Sequence, residues 1–446
     1  MKTRLLYSLV LLPFLHACSS APQQLTNKTL LRNATVIDGT GKAPMTQTDI
    51  LISGDQIEAI GQHLDSTGAN VVDLNGKTVM PALISAHVHI GNLKDTTTTT
   101  GNYTRENILS QLKKYEDYGV LHVLVMGTDR PWLFKSGLKD SSATGLLPGA
   151  RIHSAGFGFG ASGGGSFNPA GASDLFHPAD AAEAKTNIDT LAQYKPDMVK
   201  IWVDDFGGGS KKMEPAVYQA IIKNAHQHNL RVAAHLYYAA DASALANDGL
   251  DVIAHSIRDT VITDELVQLL KQKGVCYIPT LSLDEFSFIY ARKPEWVDDA
   301  FFKAALEPGV YEMITSEKYQ NDIKNSPSYN RNMKGFEIAL QNLKKLYDGG
   351  VIIALGTDSG ATPVRVQGFS EHLELELMVK AGLLPIDAIK AATQNAAKVL
   401  KLDEQFGTIE KGKVADLLIL DGNPVEDIKN TRKINAVYKA GKIVKP

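Results

Sequence analysis

Met80-Pro81-Ala82-Leu83-Ile84-Ser85-Ala86-His87-Val88-His89 is the stretch on which the reading of this chain turns. The apolar run before the histidines has the composition of a buried strand, and Pro81 suits a strand entry because it has no N–H to give a ladder. Residues two apart on a strand point the same way. His87 and His89 therefore present two imidazoles from one strand end, a geometry that can grip a metal ion from one side. Alone, the pair reads equally well as two polar residues on a strand, so its weight depends on what lies downstream.

Four further ligand-type residues follow. Lys200 is the cation inside the apolar run of Asp197-Met198-Val199-Lys200-Ile201-Trp202-Val203-Asp204. A buried, unpaired ammonium is costly, and a buried lysine tends to lose its proton. The neutral amine can capture carbon dioxide as a carbamate, an anion able to bridge two metals; the plainer alternative is a strand-end lysine with its amine in water. His235 ends the run Val232-Ala233-Ala234-His235, and His255 ends Val252-Ile253-Ala254-His255. Asp358 ends Ile352-Ile353-Ala354-Leu355-Gly356-Thr357-Asp358, where a lone carboxylate needs a partner.

The spacing predicts one architecture. The 35 residues from Lys200 to His235 and the 20 from His235 to His255 each fit a strand-helix unit of a parallel sheet. Asp241 to Asn247 supplies a short helix between the two histidine strands. The 111 residues from His89 to Lys200 leave room for three such units, with strands at 120–126 and 150–155. Residues 275–281 supply the strand between His255 and Asp358. Eight strands result, with ligand-type residues ending the first, fourth, fifth, sixth and eighth. Strand ends are where a (β/α)8 barrel keeps its active site.

At these residues the chain resembles the amidohydrolase superfamily, from about residue 33 to its C-terminus. The resemblance implies an α/β fold, a (β/α)8 TIM barrel holding a binuclear centre. His87, His89 and Asp358 would hold one divalent ion, His235 and His255 the other, with carboxylated Lys200 bridging them. Zinc suits these donors, and manganese or cobalt can substitute. The implied activity is hydrolysis of amide (carbon–nitrogen, non-ester) bonds in small substrates by metal-activated hydroxide, with Asp358 carrying the proton to the leaving amine.

Several segments resemble prolidase-like dipeptidases and imidazolonepropionase-like relatives: Ala234-His235-Leu236-Tyr237, Leu355-Gly356-Thr357-Asp358, Glu371-His372-Leu373-Glu374-Leu375-Glu376-Leu377-Met378 and Ala391-Ala392-Thr393-Gln394-Asn395-Ala396-Ala397. Lys200 favours the two-metal dipeptidase side, so a dipeptide is the leading substrate. A cyclic amide, lactam or lactone, a xenobiotic included, would use the same ligands. A surface-binding lipoprotein on a dead barrel is the non-enzymatic alternative. Ser162-Gly163-Gly164-Gly165-Ser166 stands where many relatives carry a Gly-Gly-His, which takes one carbonyl-activating residue away. Tyr237 is placed to hydrogen-bond substrate and Arg258 to pair with a substrate carboxylate; a packed rim tyrosine and a solvated loop arginine are the alternatives. His153 and His372 take no role.

The remaining sequence bounds the chain. Its 446 residues are 44% hydrophobic and 21% charged, an ordinary globular composition, and a formal charge of −3 gives no electrostatic case for nucleic acid. Basic Met1-Lys2-Thr3-Arg4, an apolar run to Phe14 and Leu15-His16-Ala17-Cys18 have the layout of a secretory signal over 1–17. Cys18 resembles the acylated cysteine of a lipobox, with His16 departing from the pattern. This implies membrane attachment through lipid at Cys18, at a bacterial outer membrane facing periplasm or exterior; without acylation the chain would be periplasmic or secreted. Residues 18–27 read as a tether. Segments 28–80 and 402–446 are β-rich, and neither could cover its apolar face alone; the expectation is a small β-sandwich built from both ends around a barrel at 81–401. Cys276 reads as an unpaired core thiol. Residues 282–350 form a long aromatic-bearing insertion after the seventh strand, a lid or substrate wall, with a surface ornament as the alternative. The glycine-rich 156–165 lacks a phosphate-binding context and fits a mobile loop or close backbone approach to substrate. A homo-oligomer is compatible with all of this.

Overall fold

A computed structural model describes residues 27–163, 171–172 and 174–445. The leader 1–17, Cys18 and nearly all of the tether lie outside the described residues, as does the 156–165 stretch beyond residue 163. The strands, in chain order, are β1 (Lys28–Val36), β2 (Met45–Ser53), β3 (Gln56–Gly61), β4 (Asn70–Asp73), β5 (Thr78–Pro81), β6 (Leu83–Val88), β7 (Leu93–Lys94), β8 (Thr97–Thr98) and β9 (Val120–Val125). They continue as β10 (Arg151–Ser154), β11 (Val199–Trp202), β12 (Val232–His235), β13 (Val252–Ala254), β14 (Cys276–Ile278), β15 (Leu417–Leu420), β16 (Ile434–Lys439) and β17 (Lys442–Lys445).

The two chain ends share one mixed sheet in the order β17-β16-β15-β5-β1-β2-β3, with β4 also paired to β1. The seam is antiparallel, Val79 opposite Ile419. Leu31, Ile50, Val79, Leu417 and Ile419 bury a common apolar cluster there, which neither end could close alone. Hydrogen bonding makes this a single eight-stranded sheet, where the sequence predicts two packed layers. Between β16 and β17, Ala440 and Gly441 both take positive φ and turn the chain back.

The central strands are short, parallel and apolar. In β6 and β9 every residue is buried, as strands covered on both faces require. β6, β9 and β10 form one parallel sheet and β11 to β14 another. Isolated parallel bridges, Phe159–Ile201, Tyr277–Ile353 and Val88–Ser359, join their edges in the cyclic order of a (β/α)8 unit. Ile84, Leu124, Met126, Met198, Ala233, Val252 and Ile278 pack the interior. Helices alternate with the strands, and one shows why they start and stop where they do. In Asp264–Lys273 the Thr263 hydroxyl accepts from Leu266 N–H, Asp264 and Glu265 occupy the first turn, and Gly274 ends the helix at φ 69°.

Two expected strands differ. The seventh ends at Ile278 rather than Leu281, because Pro279 has no N–H, Thr280 takes φ 53° and Leu281 begins a helix. The eighth is not a continuous strand. Residues 351–359 run beside β6 through Ala86 N–H to Leu355 C=O, Thr357 N–H to His87 C=O and His89 N–H to Ser359 C=O. Asp358 at φ 60° breaks the ladder. Gly356 permits the approach: a Cβ there would lie 2.7 Å from the Cβ of His87. Cys276 is only partly buried, and burial still holds its thiol pKa up, so it remains a thiol.

Candidate metal centre

The alternating strands deliver their ligand-type residues to one end. His87 is the fifth residue of β6, and His89 lies just beyond it; Lys200 lies in β11 and His235 ends β12. His255 follows β13 at φ 99°, an unusual backbone that turns the ring inward. The rings of His87 and His89 are 5.7 Å apart, His87 and His255 4.6 Å, and His235 and His255 4.2 Å. His87, His89 and Asp358 place one donor atom each within 4.8 Å of one another. Of the six matched residues, all but the half-buried His235 are buried.

The electrostatics suit cation ligands. Burial, helped by the Lys200 charge, pushes His87 down to about 3. Burial pushes His235 down to about 4 and His255 well below the usual range. These rings are therefore neutral, with lone pairs available. Lys200 is fully buried and burial pushes its amine down to about 7, against a smaller upward pull from Asp358. Burial alone would raise the Asp358 carboxyl, but Arg365, His89 and His87 together hold it well below the usual range.

Unmet bonding points to the same conclusion. His87 Nε2 lies 3.0 Å from Asp358 Oδ1, yet neither ring nitrogen has a hydrogen-bond partner. Lys200 Nζ has none either. Buried polar atoms without partners are rare. His89 and His255 are oriented from behind, Nδ1 of His89 lying 2.7 Å from Thr128 Oγ1 and Nδ1 of His255 2.9 Å from Thr280 Oγ1. Such contacts fix the ring and leave the other nitrogen free for a metal. The His87, His89 and Asp358 donors fit a divalent ion.

A cavity of about 850 Å³ opens over this end, lined by His89, His235, His255, Asp358, Tyr237 and Arg258 among others. Its size matches a small-molecule site. Arg258 is not the solvated arginine of the plain alternative: it is paired with Asp284 at 3.2 Å and stacks on Tyr237 at 4.9 Å. The 282–350 insertion contributes Leu283, Asp284, Ser287, Arg331, Asn332 and Gly335 to the wall. His153 and His372 lie elsewhere. His153 is 3.1 Å from His122 beside the buried Arg151–Asp416 pair, and His372 is held by Thr431 and the Tyr118 carbonyl.

Sequence reasoning missed several contributors. Asp204, in the quoted Lys200 run, lies 3.3 Å from His235 Nε2. Arg365 pairs with Asp358 from seven residues downstream. Glu371, quoted only as part of a helix, accepts hydrogen bonds from the hydroxyls of Ser85, Thr357 and Ser359, at 3.1, 2.7 and 2.9 Å. Arg331 lay inside the insertion. The available signal for Glu371 was a charged residue on a helix face otherwise marked for burial.

The amidohydrolase family model matches residues 78–444. Ochratoxinase from Aspergillus niger is 28% identical over 241 residues, 52% of this chain and 42% of that protein. Imidazolonepropionase from Deinococcus radiodurans is 39% identical over 104 residues, 22% of this chain and 25% of that protein. These alignments therefore span less than half the length of either relative. A solved Xaa-Pro dipeptidase with methionine bound in its active site superposes with a TM-score of 0.74 at 25% identity, covering 94% of this chain and 100% of that one. The architecture is thus of the TIM-barrel type, and with the family match running from the β5 seam to the last strand, the chain belongs to the amidohydrolase family.

Proposed function

We propose that this protein is a metal-dependent hydrolase of carbon–nitrogen bonds in small substrates, dipeptides first among them. The carrying observation is the convergence of His87, His89, Lys200, His235, His255 and Asp358 beneath one cavity, with the nitrogens of His87 and Lys200 left without partners. Two divalent ions, zinc by donor type, would supply Lewis acidity and bring the pKa of water from about 15.7 towards about 7. The chain's own residues do the rest. Lys200, neutral for a substantial fraction near pH 7, can add carbon dioxide at Nζ and release a proton, and the resulting carbamate would supply an anionic donor to the centre. Asp358, held ionised by Arg365 and the histidines, is ready to accept a proton and hand it to the departing amine. Tyr237 and Arg258 form the wall against which substrate is oriented.

The likeness to ochratoxinase and the breadth of the cavity favour a second reading, a larger or cyclic amide, lactam or lactone. One experiment tests both: the zinc-loaded protein with a panel of dipeptides, including Xaa-Pro, and of cyclic amides, scoring amine release or ring opening. Dipeptide cleavage supports the first reading and ring opening the second; inactivity on the whole panel refutes the proposal. We also read residues 28–80 and 402–446 as one small β-sheet unit closed by the cluster around Ile50 and Ile419, apart from a barrel at 81–401. Export and lipid anchoring at Cys18 rest on the leader composition and belong to this proposal.

A further inference from the structure

Three arginines line the cavity: Arg258, Arg331 and Arg365. Two are already neutralised, Arg258 by Asp284 and Arg365 by Asp358. Arg331, among the described residues, has no ion pair and no hydrogen-bond partner. Neither of the lining acids left over serves it. Asp204 faces His235, and Asp259 accepts the Ala239 N–H at 2.9 Å.

Its place is built rather than incidental. Arg331 lies at the start of the helix Tyr329–Gly349, part of the 282–350 insertion. Gly335, one turn on, packs against Arg258, and the Asn332 side chain reaches the Ser287 carbonyl at 3.5 Å. The guanidinium rests on Gly207, which also lines the cavity: a Cβ on that glycine would lie 2.7 Å from Nη1. Arg331 thus joins the insertion to the loop that follows the Lys200 strand. Helix stability does not explain a cation here, since a positive charge in the first turn opposes the macrodipole. Tyr237 lies within the field of both Arg258 and Arg331, each lowering its hydroxyl pKa against the larger effect of burial.

Arg331 is exposed at the cavity wall, where an unneutralised guanidinium raises the local concentration of anions and its planar fork matches a carboxylate. We propose that Arg331 is a specificity-determining residue that captures a free carboxylate of the substrate at the cavity wall, so that the favoured substrates are amides bearing a carboxylate, such as dipeptides with an unblocked C-terminus. This deepens the hydrolase reading and rests on it.

The test compares a dipeptide with its C-terminal carboxamide on the metal-loaded wild type, Arg331→Gln and Arg331→Lys. The wild type should prefer the carboxylate, and Arg331→Gln should lower the carboxylate-to-carboxamide ratio of kcat/KM by about tenfold or more, chiefly through KM, the loss expected for one charge-assisted contact. Arg331→Lys should retain part of the preference. A ratio unchanged in Arg331→Gln overturns the proposal. Calorimetric binding of free proline against prolinamide separates the two ideas if neither dipeptide is cleaved. Preferential proline binding that is lost in Arg331→Gln supports the anion site while the hydrolase reading fails. Equal binding of the two compounds by wild type and variant overturns the anion site as well.

Discussion

Replacing Lys200 with methionine should stabilise the metal-free protein near neutral pH while disabling it. Lys200 is completely buried and its amine has no partner, so burial lowers its pKa from 10.5 to about 7. Between these values the unfolded chain carries a proton that the folded chain does not. Stability therefore rises with pH across that window, and it is lowest below about 7, where the folded protein must hold a buried charge. At about 1.4 kcal/mol per pKa unit the full penalty is about 5 kcal/mol, of which about 3 kcal/mol remains at about pH 8. Methionine fills similar space without a charge. In chelated, carbon-dioxide-free buffer, Lys200→Met should gain about 5 kcal/mol over wild type at about pH 6, and the gain should fade towards about pH 10.5. Urea midpoints of the two proteins across that range provide the assay. A difference independent of pH, or a variant less stable throughout, would refute the reasoning. The same variant should lose at least one bound divalent ion by elemental analysis, with most of its turnover.

Other outcomes follow from single residues. Asp358→Asn should keep the fold by circular dichroism and lower turnover by at least about 10²-fold, the low end for a positioned acid–base group; full activity would remove Asp358 from proton transfer. Glu371→Leu should leave three buried hydroxyls without their acceptor and lower metal affinity by about 10-fold or more, whereas Glu371→Gln, which keeps an acceptor oxygen, should lose less. Titration of the chelated proteins with zinc measures both. Cys18→Ser should release the protein from the membrane fraction, and attachment that persists would end the lipidation reading.

Much of the centre was legible because its chemistry and its spacing coincide. A His-x-His at a strand end, a lone lysine in an apolar run and two histidines 20 residues apart each have a local signature. The barrel order followed from strand-sized and helix-sized intervals, and the joining of both chain ends from two β-rich segments that lacked partners. What stayed hidden depends on tertiary geometry. The eighth strand reads as continuous because its apolar run is strong, yet Gly356 and the positive φ of Asp358 interrupt it. Thr128 and Thr280 are ordinary residues until the fold sets their hydroxyls against His89 and His255. Arg365 and Asp284 gain meaning only as partners of Asp358 and Arg258.

The centre concentrates costs that a bound cation would offset. His255, Thr280 and Asp358 all have positive φ, a strain of about 1–3 kcal/mol each for residues other than glycine. His87 and Lys200 bury nitrogens without partners, each a further cost of about 1–3 kcal/mol. Asp204 faces His235 Nε2 and Arg365 pairs with Asp358. Saturating metal should therefore raise the stability of the folded state by mass action, by about 2.7 kcal/mol for each site held at a hundredfold excess over its Kd. His87→Phe combined with Lys200→Met removes the unpartnered nitrogens and should abolish that gain. Thermal unfolding with and without zinc decides the matter: a wild type indifferent to the metal would mean that the strain and the bare nitrogens serve some other end.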